Sequence, residues 1–287
     1  MTDCMSILVI GETDWPPLDG ICCLSLDQLD RTGLMLSQNG ELRCHEKDGT
    51  WHTFDLVLWR AQGGRDTTLQ HTALSLVAAS SATCVNSAES LLLFGTRFLN
   101  NGALRKAGLP IIESSQILGA NALSYFYTPQ FPAVLKLGDW HMGYGKCKIR
   151  NLESWNDAVD MAAITQDIAS IEPFINYTRD LRILLVGNDI FAVERVPSSH
   201  QWKANVCPEL VKTVVMPPML EQMTRKAASI LGMSILGADW IEDEQGRWIL
   251  LEVNPAPGLQ MGDTDCRPLA LDLLKITHSC PPALMVW

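Results

Sequence analysis

The sequence lacks the features that mark several common classes of protein. It has no apolar run long enough to cross a membrane, so we expect no transmembrane helix. It begins without the basic segment of a secretory signal, and its nine cysteines form no CxxC pair and no cysteine–histidine cluster. We therefore expect a cytoplasmic protein with reduced thiols and without a structural zinc site.

Positive charge is also in short supply. The 22 lysines and arginines are outnumbered by 32 aspartates and glutamates, which gives a formal net charge of −10 at pH 7. This charge disfavours binding to nucleic acid or to an anionic membrane, although a local basic cleft can still bind a nucleotide phosphate. Hydrophobic residues make up 47% of the 287 residues and charged residues 19%, which predicts a globular chain of two or three lobes.

The first third of the chain alternates apolar runs with turns and a helical stretch. Strands are predicted at Ser6 to Ile10, at Phe54 to Trp59 and at Thr83 to Asn86, with a helix over Thr67 to Ala79. Strand, helix and strand in this order indicate an open α/β sheet.

The next region is predicted to pass from a helix to a pair of strands. The helix covers Ser87 to Ala107, and Gly108 provides its stop signal. The strand Phe131 to Leu137 and the return strand Cys147 to Ile149 enclose a glycine-rich loop at residues 138–146. The loop therefore joins two neighbouring strands.

The glycine-rich loop combines an adaptable backbone with positive charge. Gly138, Gly143 and Gly145 allow backbone N–H groups to approach phosphate oxygens closely, and Lys136 and Lys146 supply cations. It is neither a Walker loop nor a dinucleotide fingerprint, because the Gly-Lys-Ser/Thr ending is missing and a strand follows. Either the loop binds a phosphate group or it is an ordinary hairpin tip.

A group of cations follows in an otherwise acidic chain. Leu181 to Val186 and Ile190 to Glu194 form a predicted hairpin with Gly187-Asn188 at its turn, and Arg182 and Arg195 lie on this hairpin. Such a group suits an anionic substrate and an acyl phosphate, although ordinary surface charge is the alternative.

Polar side chains alternate along a predicted strand pair near the end of the chain. If Gln245-Gly246 is the turn, Asp239 lies directly opposite Glu252, and Asn254 shares a face with Glu252 because the two are two residues apart. Carboxylate and amide oxygens suit Mg²⁺. The alternative is the solvated polar face of an edge hairpin.

Four motifs, taken in order, resemble the ATP-grasp superfamily, in particular ribosomal-protein glutamate ligases, glutathione synthetases and synapsins. The resemblance spans most of the chain and implies ATP clamped between two α+β lobes. It implies an N-terminal open α/β domain at residues 1–86, a small lobe at 87–171 and a large lobe at 172–287. The motifs are Phe131-Pro-Ala-Val-Leu-Lys with the loop His141-Met-Gly-Tyr-Gly-Lys, Arg179-Asp-Leu-Arg-Ile-Leu-Leu-Val-Gly, Trp202-Lys-Ala-Asn and Leu251-Glu-Val-Asn-Pro-Ala-Pro-Gly.

The same resemblance implies roles for individual residues. The metal ligands would be Asp239, Glu252 and Asn254, and Arg182 and Arg195 would contact the phosphate or the acyl intermediate. The implied nucleotide-binding residues are Arg97, Lys136, His141, Gly143, Gly145, Lys146, Glu172, Phe174, Lys203 and Asn205. Two departures from the family pattern stand out: Arg97 occupies a position where the family usually has lysine, and the glycine pair that often follows the Asn205 position is missing.

The implied reaction joins a carboxylate to an amine through an acyl phosphate, with Mg²⁺ or Mn²⁺ as the metal and with ADP and phosphate as products. The expected partners are a small-molecule or peptide carboxylate and an amine, and analogy suggests a homo-oligomer. A synapsin-like ATP-binding protein without turnover and a small-molecule kinase on the same fold are the alternatives. Arg60 and Arg65 either meet a substrate carboxylate or, as we favour, are ordinary surface arginines.

Overall fold

The computed structural model describes residues 6–12, 15, 20–25, 28, 33–45, 49–61, 67–119, 122–123, 129–138, 140, 143–165, 168–197, 202–203 and 208–279. The helices within these ranges are α1 (Thr67–Ala78), α2 (Ala88–Phe94), α3 (Arg97–Lys106), α4 (Leu152–Thr165), α5 (Pro218–Leu231) and α6 (Arg267–Ser279). The strands are β1 (Ile7–Ile10), β2 (Ile21–Leu24), β3 (Leu34–Leu36), β4 (Leu42–His45), β5 (Trp51–Phe54), β6 (Leu56–Trp59), β7 (Thr83–Val85), β8 (Ser115–Ile117), β9 (Ala133–Leu137), β10 (Lys146–Ile149), β11 (Ala169–Pro173), β12 (Tyr177–Val186), β13 (Asp189–Pro197), β14 (Pro208–Thr213), β15 (Ile235–Asp243), β16 (Trp248–Asn254), β17 (Gln260–Met261) and β18 (Thr264–Asp265).

The first sheet is parallel, with the strand order β2-β1-β6-β7. Every residue of β1 and β6 is buried, as expected for apolar strands covered on both faces. This confirms the predicted open α/β sheet. The strand predicted from Phe54 to Trp59 is in fact two strands that part at Asp55, because Phe54 pairs with Leu42 in a separate antiparallel sheet, β3-β4-β5.

The second sheet is antiparallel, with the order β10-β9-β11-β8, and α4 packs on one of its faces. Trp155, Val159 and Ala162 project from α4 into the core beneath the sheet. The pairing of β9 with β10 places Lys146 directly opposite Lys136. The predicted strand and return strand are confirmed, although β9 begins two residues later and β10 one residue earlier than predicted.

The third sheet is also antiparallel, with the order β14-β13-β12-β15-β16. Helices α3 and α5 pack around the fully buried Trp240 on one face. The carboxyl end of β12 and the amino end of β15 pack with α6 and with the first sheet in a second core cluster. The hairpin of β12 and β13 confirms the prediction, since Val186 pairs with Asp189 around the Gly187-Asn188 turn.

One predicted helix is broken in the structure. Residues 87–107 form two helices, α2 and α3, which are separated by Gly95 and Thr96. Gly95 ends α2, and Thr96 is extended, with φ −103° and ψ 149°, at the N-cap of α3. A glycine followed by a β-branched residue is a weak point in a helix, and here the chain turns at that point. As a result Arg97 begins a new helix.

Asn86 ties the first sheet to the third. Its Nδ2 donates to the carbonyl oxygens of Ile235 at 2.6 Å and Pro255 at 2.8 Å. Its Oδ1 accepts from the N–H groups of Ser234 and Ile235, both at 2.7 Å. The side chain is 2% exposed, so these four bonds satisfy groups that water does not reach.

Three further expectations concern the chain as a whole. The cysteines within the described ranges form no disulfide. Among the described residues no helix has both the length and the apolar character needed to cross a membrane. The division into domains stays a prediction, and its boundary at 171/172 falls inside β11.

Candidate functional site: a charged cleft between two sheets

A cleft opens between the second and third sheets. One part of its wall is apolar, and the other part carries charged side chains that converge from both sheets. A concave, largely apolar site with a few convergent polar groups is typical of a ligand-binding pocket. The apolar wall consists of Ile112, Val134, Pro173, Phe174, Ile175, Trp202, Ile241 and Leu251.

Lys136 and Glu172 form a buried ion pair beside the apolar wall. Lys136 Nζ lies 2.5 Å from Glu172 Oε2, and the two side chains are 6% and 3% exposed. Burial lowers the pKa of Lys136, and the Glu172 charge opposes that effect. Glu172 Oε1 is buried and has no hydrogen-bond partner among the described residues. It is an acceptor that an exocyclic amine, such as that of adenine, would satisfy.

The glycine-rich loop has a backbone that only glycine adopts readily. Gly138, Gly143 and Gly145 have φ values of 63°, 78° and 65°. A Cβ atom on Gly145 would lie 2.5 Å from the carbonyl oxygen of Leu137. Lys203 Nζ donates to the Gly143 carbonyl oxygen at 2.7 Å, which ties the loop to the segment after β13. Gly143 is therefore held beside Lys203, which lines the cleft.

Phe174 lies in an aromatic and cationic contact. Its ring meets the Trp202 ring edge-on with centroids 6.0 Å apart, and Lys148 Nζ is 3.2 Å from its centroid. The Phe174 N–H donates to the Pro132 carbonyl oxygen at 2.9 Å. A nucleotide that contacts the backbone of this segment must therefore use an atom other than the Phe174 nitrogen.

The predicted carboxylate pair forms. Asp239 on β15 is directly opposite Glu252 on β16, and Asn254 is opposite Gly237 on the same face. Both carboxylates line the cleft. The prediction that placed them opposite each other is confirmed.

The turn that led to this prediction is wrong. The Asp243 N–H donates to the Arg247 carbonyl oxygen at 3.0 Å, so the tip consists of residues 244–246 and not of Gln245-Gly246 alone. The additional tip residue alone would shift the strand pairing by one residue from the predicted register. Beyond Trp240 the pairing shifts by one residue in the opposite direction, because Leu251 is an unpaired bulge residue. The two irregularities cancel, and the pair is restored.

Asp239 is held by two guanidinium groups. Arg182 Nη1 and Arg195 Nη2 each lie 3.0 Å from Asp239 Oδ1, which leaves Oδ2 as the oxygen available to a cation. Arg195 Nε also donates to Asp180 Oδ1 at 2.7 Å. Burial, with Arg195 opposing it and the neighbouring Asp239 adding to it, sets the direction of the shift. The net effect raises the pKa of Asp180 to about 6.

Glu252 is held by two further cations. Lys146 Nζ lies 2.9 Å and Arg97 Nε 3.6 Å from Glu252 Oε2. Burial would raise the pKa of Glu252, but Lys146, Arg97 and Lys136 hold it well below its usual range. Arg97 thus reaches the site from the first turn of α3, as its proposed family position implies.

The oxygen donors fit a magnesium ion. Asn254 is 9% exposed, and its Oδ1 accepts from the Ala256 N–H at 3.1 Å, which uses one of its two lone pairs. The described residues contain no group of three His, Cys, Asp or Glu side chains that would hold a metal unaided. Mg²⁺ commonly takes one or two carboxylates and completes its shell with phosphates and water, so Asp239 and Glu252 are the residues that could hold it.

The structure leaves some of the predicted residues untested, corrects the interpretation of one and adds another. His141, Asn205 and Arg65 lie outside the described residues. The favoured interpretation of Arg60 as a surface arginine is wrong, because the residue is 4% exposed and pairs with Glu12. Asp180 was missed, although it lies two residues from Arg182 and so shares its face of β12.

Comparison with known proteins identifies the family. Residues 94–266, well over half of the chain, match the family model described as "Synapsin, ATP binding domain". The chain belongs to this family. The match begins in α2 and ends before α6, so it contains the second and third sheets and both carboxylates of the cleft.

The fold is that of ATP-grasp ligases, as predicted. The D-alanine–D-alanine ligase of Coxiella burnetii superimposes with a TM-score of 0.69 at 13% identity, covering 96% of this chain and 95% of the ligase. The ATP-grasp ligase PsnB, in a structure with a phosphomimetic variant of its minimal precursor, Mg and ADP, gives 0.64 at 17% identity, with 96% and 99% covered. ATP and Mg²⁺ are thus features of proteins with this fold.

A curated relative supports the enzyme class. The glutamate–LysW ligase ArgX of Sulfolobus acidocaldarius is 23% identical over 196 residues, which are 64% of this chain and 68% of the relative. The predicted class, an ATP-dependent carbon–nitrogen ligase, is confirmed by such relatives.

Proposed function

We propose that the protein is an ATP- and Mg²⁺-dependent ligase that joins a carboxylate to an amine through an acyl phosphate. The main support for this proposal is the pair Asp239 and Glu252 at the charged end of an apolar cleft. The two carboxylates lie directly opposite each other, and each is held by two cations. This arrangement combines anionic oxygens for a metal with cations for phosphate groups.

The nucleotide would lie along the cleft. The apolar wall would pack against the base, and Glu172 Oε1, which lacks a partner among the described residues, would accept a hydrogen bond from the adenine amine. Lys136 and Lys146 would contact phosphate oxygens, since they lie side by side on paired strands that face the cleft. Arg97 would support the same group of charges from α3.

The substrate carboxylate would attack the γ-phosphate of ATP and break its bond to the bridging oxygen, releasing ADP. An amine would then displace inorganic phosphate from the acyl phosphate and lose a proton. Bound Mg²⁺ offsets charge on the phosphate groups and orients them. Arg182 and Arg195 would stabilise the negative charge that develops on the transferred group, which is an electrostatic task. Asp180 would hold Arg195 in place through its 2.7 Å bond.

The relatives suggest candidate substrates. The name of ArgX states that it joins glutamate to LysW, and the PsnB structure contains a precursor peptide. We therefore propose an amino acid or a peptide as the carboxylate or the amine. A synapsin-like protein that binds ATP without turnover is the second candidate, because the matching family model is described by ATP binding alone.

The test is incubation with ATP, Mg²⁺ and pooled amino acids and peptides, with ADP and new amide masses measured by mass spectrometry. Glu252→Gln should lower Mg²⁺-dependent ADP formation roughly 100-fold or more. Glu244→Gln, the same change at the exposed tip of the same hairpin, should leave the rate unchanged.

Three outcomes separate the candidates. ATP binding without ADP from any pool would reject the ligase and favour the synapsin-like protein. A stable phosphorylated product without an amide would indicate a kinase. Equal rates for Glu252→Gln and the wild type would reject the carboxylate pair as the metal site.

A further inference from the structure

Arg60 occupies a position in the first sheet where ligands commonly bind. It follows the carboxyl end of β6, and Glu12 lies just beyond the carboxyl end of the neighbouring β1. In open α/β sheets the crevice outside the carboxyl ends of the strands is the usual binding position. Arg60 lies outside the set of residues that line the nucleotide cleft.

The Arg60 guanidinium is buried but only partly satisfied. Its side chain is 1% exposed, and its Nε and Nη2 atoms lie 3.2 Å and 3.4 Å from the two Glu12 carboxylate oxygens. Nη2 also donates to the Pro257 carbonyl oxygen. Nη1 is buried without a hydrogen-bond partner among the described residues. Buried charged donors are normally fully paired, so this guanidinium has capacity for a further acceptor.

Arg60 is close to the reacting end of the cleft. Pro257, whose carbonyl it contacts, lies three residues after Asn254. A Cβ atom on Gly237 would be 2.6 Å from Arg182 Nη2 and 2.7 Å from Pro257 Cβ, so Arg182 and Pro257 are neighbours. Arg60 is therefore separated from Arg182 by one proline residue.

We propose that Arg60 is the anion subsite for a non-reacting carboxylate of the substrate, and that Glu12 is an internal placeholder which that carboxylate displaces. The Glu12 side chain is 31% exposed, so solvent and ligand reach it, whereas they do not reach Arg60 directly. Arg182 and Arg195, beside Asp239, serve the reacting group. A guanidinium binds a carboxylate in a bidentate manner, which fixes the orientation of the substrate.

The substrate class is thus a molecule with a second carboxylate, either an acidic amino acid or a peptide with a free C-terminus. This inference rests on the proposed function. The probes are L-glutamate, L-glutamine, glutarate, and one tripeptide with a free C-terminus together with its C-terminal amide. Binding of glutamate and glutarate but not glutamine indicates the acidic amino acid. Binding of the free tripeptide but not of its amide indicates the peptide.

Each probe is titrated calorimetrically into protein saturated with Mg²⁺ and the non-hydrolysable analogue AMP-PNP. Arg60→Met should weaken binding of the preferred probe about 10-fold or more, and Arg60→Lys should retain part of the affinity. Glu12→Gln should strengthen binding about 3-fold or more, because it removes the competing charge. The two members of one ion pair thus act in opposite directions.

A merely structural ion pair would not give opposite signs. Weaker or unchanged binding in Glu12→Gln therefore overturns the inference, as does unchanged binding in Arg60→Lys. Asp265→Asn, which removes one charge of an exposed ion pair with Arg267, is the matched control and should leave binding unchanged. If Arg60→Met does not fold, Arg60→Lys and Glu12→Gln decide the question.

AMP-PNP binding is measured first and separates two failures. A wild-type protein that does not bind AMP-PNP would reject the proposed function itself. Nucleotide binding without binding of any probe would overturn the anion subsite and leave the proposed function intact.

Discussion

Replacing Lys136 with methionine separates the structural and functional roles of the Lys136–Glu172 pair. The two charged atoms are 2.5 Å apart, and neither side chain is more than 6% exposed, so water cannot replace the lost partner. Removing one member of a buried ion pair leaves the other charge uncompensated, which costs about 3–5 kcal/mol. We expect Lys136→Met to lower the free energy of unfolding by that amount.

The double variant should behave differently. In Lys136→Met with Glu172→Gln no charge remains in the pair, and buried pairs replaced by neutral groups are often neutral in stability. We therefore expect the double variant to recover most of the lost free energy. Nucleotide affinity should not recover, because a charge-assisted hydrogen bond to phosphate contributes about 1.5–3 kcal/mol, or roughly 10- to 150-fold.

Urea unfolding followed by tryptophan fluorescence gives the stability of each variant, and titration with a fluorescent ATP analogue gives the affinity. Lys275→Met is the matched control, since Lys275 is half exposed and lies 4.0 Å from Asp272. It should change stability by less than about 1 kcal/mol. A double variant that is no more stable than Lys136→Met, or a Lys136→Met protein with full nucleotide affinity, would refute the reasoning.

Three further changes test other parts of the molecule. Asn86→Ala removes four buried hydrogen bonds and should lower the free energy of unfolding, measured by urea unfolding, by about 4 kcal/mol. Asn156→Ala on the exposed face of α4 is the control and should not lower it; equal effects would contradict the role of Asn86. The Asp180 pKa is raised from 3.8 to about 6, so folding takes up a proton between these values. The stability of the wild type relative to Asp180→Asn should therefore fall by up to about 3 kcal/mol as pH rises from 4 to 6, and a rise or a flat difference in urea midpoints would contradict this sign. Gly237→Ala would place Cβ 2.6 Å from Arg182 Nη2, and we expect the ligation rate to fall about tenfold or more while ATP affinity persists; an unchanged rate would show that Arg182 can move without loss.

Much of the local structure follows from local signals in the sequence. The turn Gly187-Asn188 and the apolar runs beside it predicted the hairpin of β12 and β13 correctly. The helix predicted from Thr67 to Ala79 is α1, with its end one residue earlier. In both cases neighbouring residues determine the conformation, so the pattern is visible without the rest of the fold.

Features that depend on distant contacts could not be predicted in the same way. The contact of Lys146 with Glu252 joins residues 106 positions apart, and no spacing rule connects them. The burial of Arg60 depends on a proline carbonyl 197 residues away, and without that contact an arginine after a strand resembles any surface residue. The sequence motifs identified the candidate site residues, but only the three-dimensional structure showed how these residues are arranged around the two carboxylates.

The bulge at Leu251 divides the β15–β16 hairpin into two parts that differ in phase by one residue. The tip at 244–246 is exposed, while Asp239 and Glu252 lie beyond the bulge. Changes of sequence at the exposed tip therefore leave the carboxylates in the cleft, whereas a change of length by one residue would have to be offset by a second irregularity, as the bulge does here. The tip is a suitable place to attach a fluorescent label through a single substitution, because a probe there would lie outside the cleft and on the strand pair that carries both carboxylates.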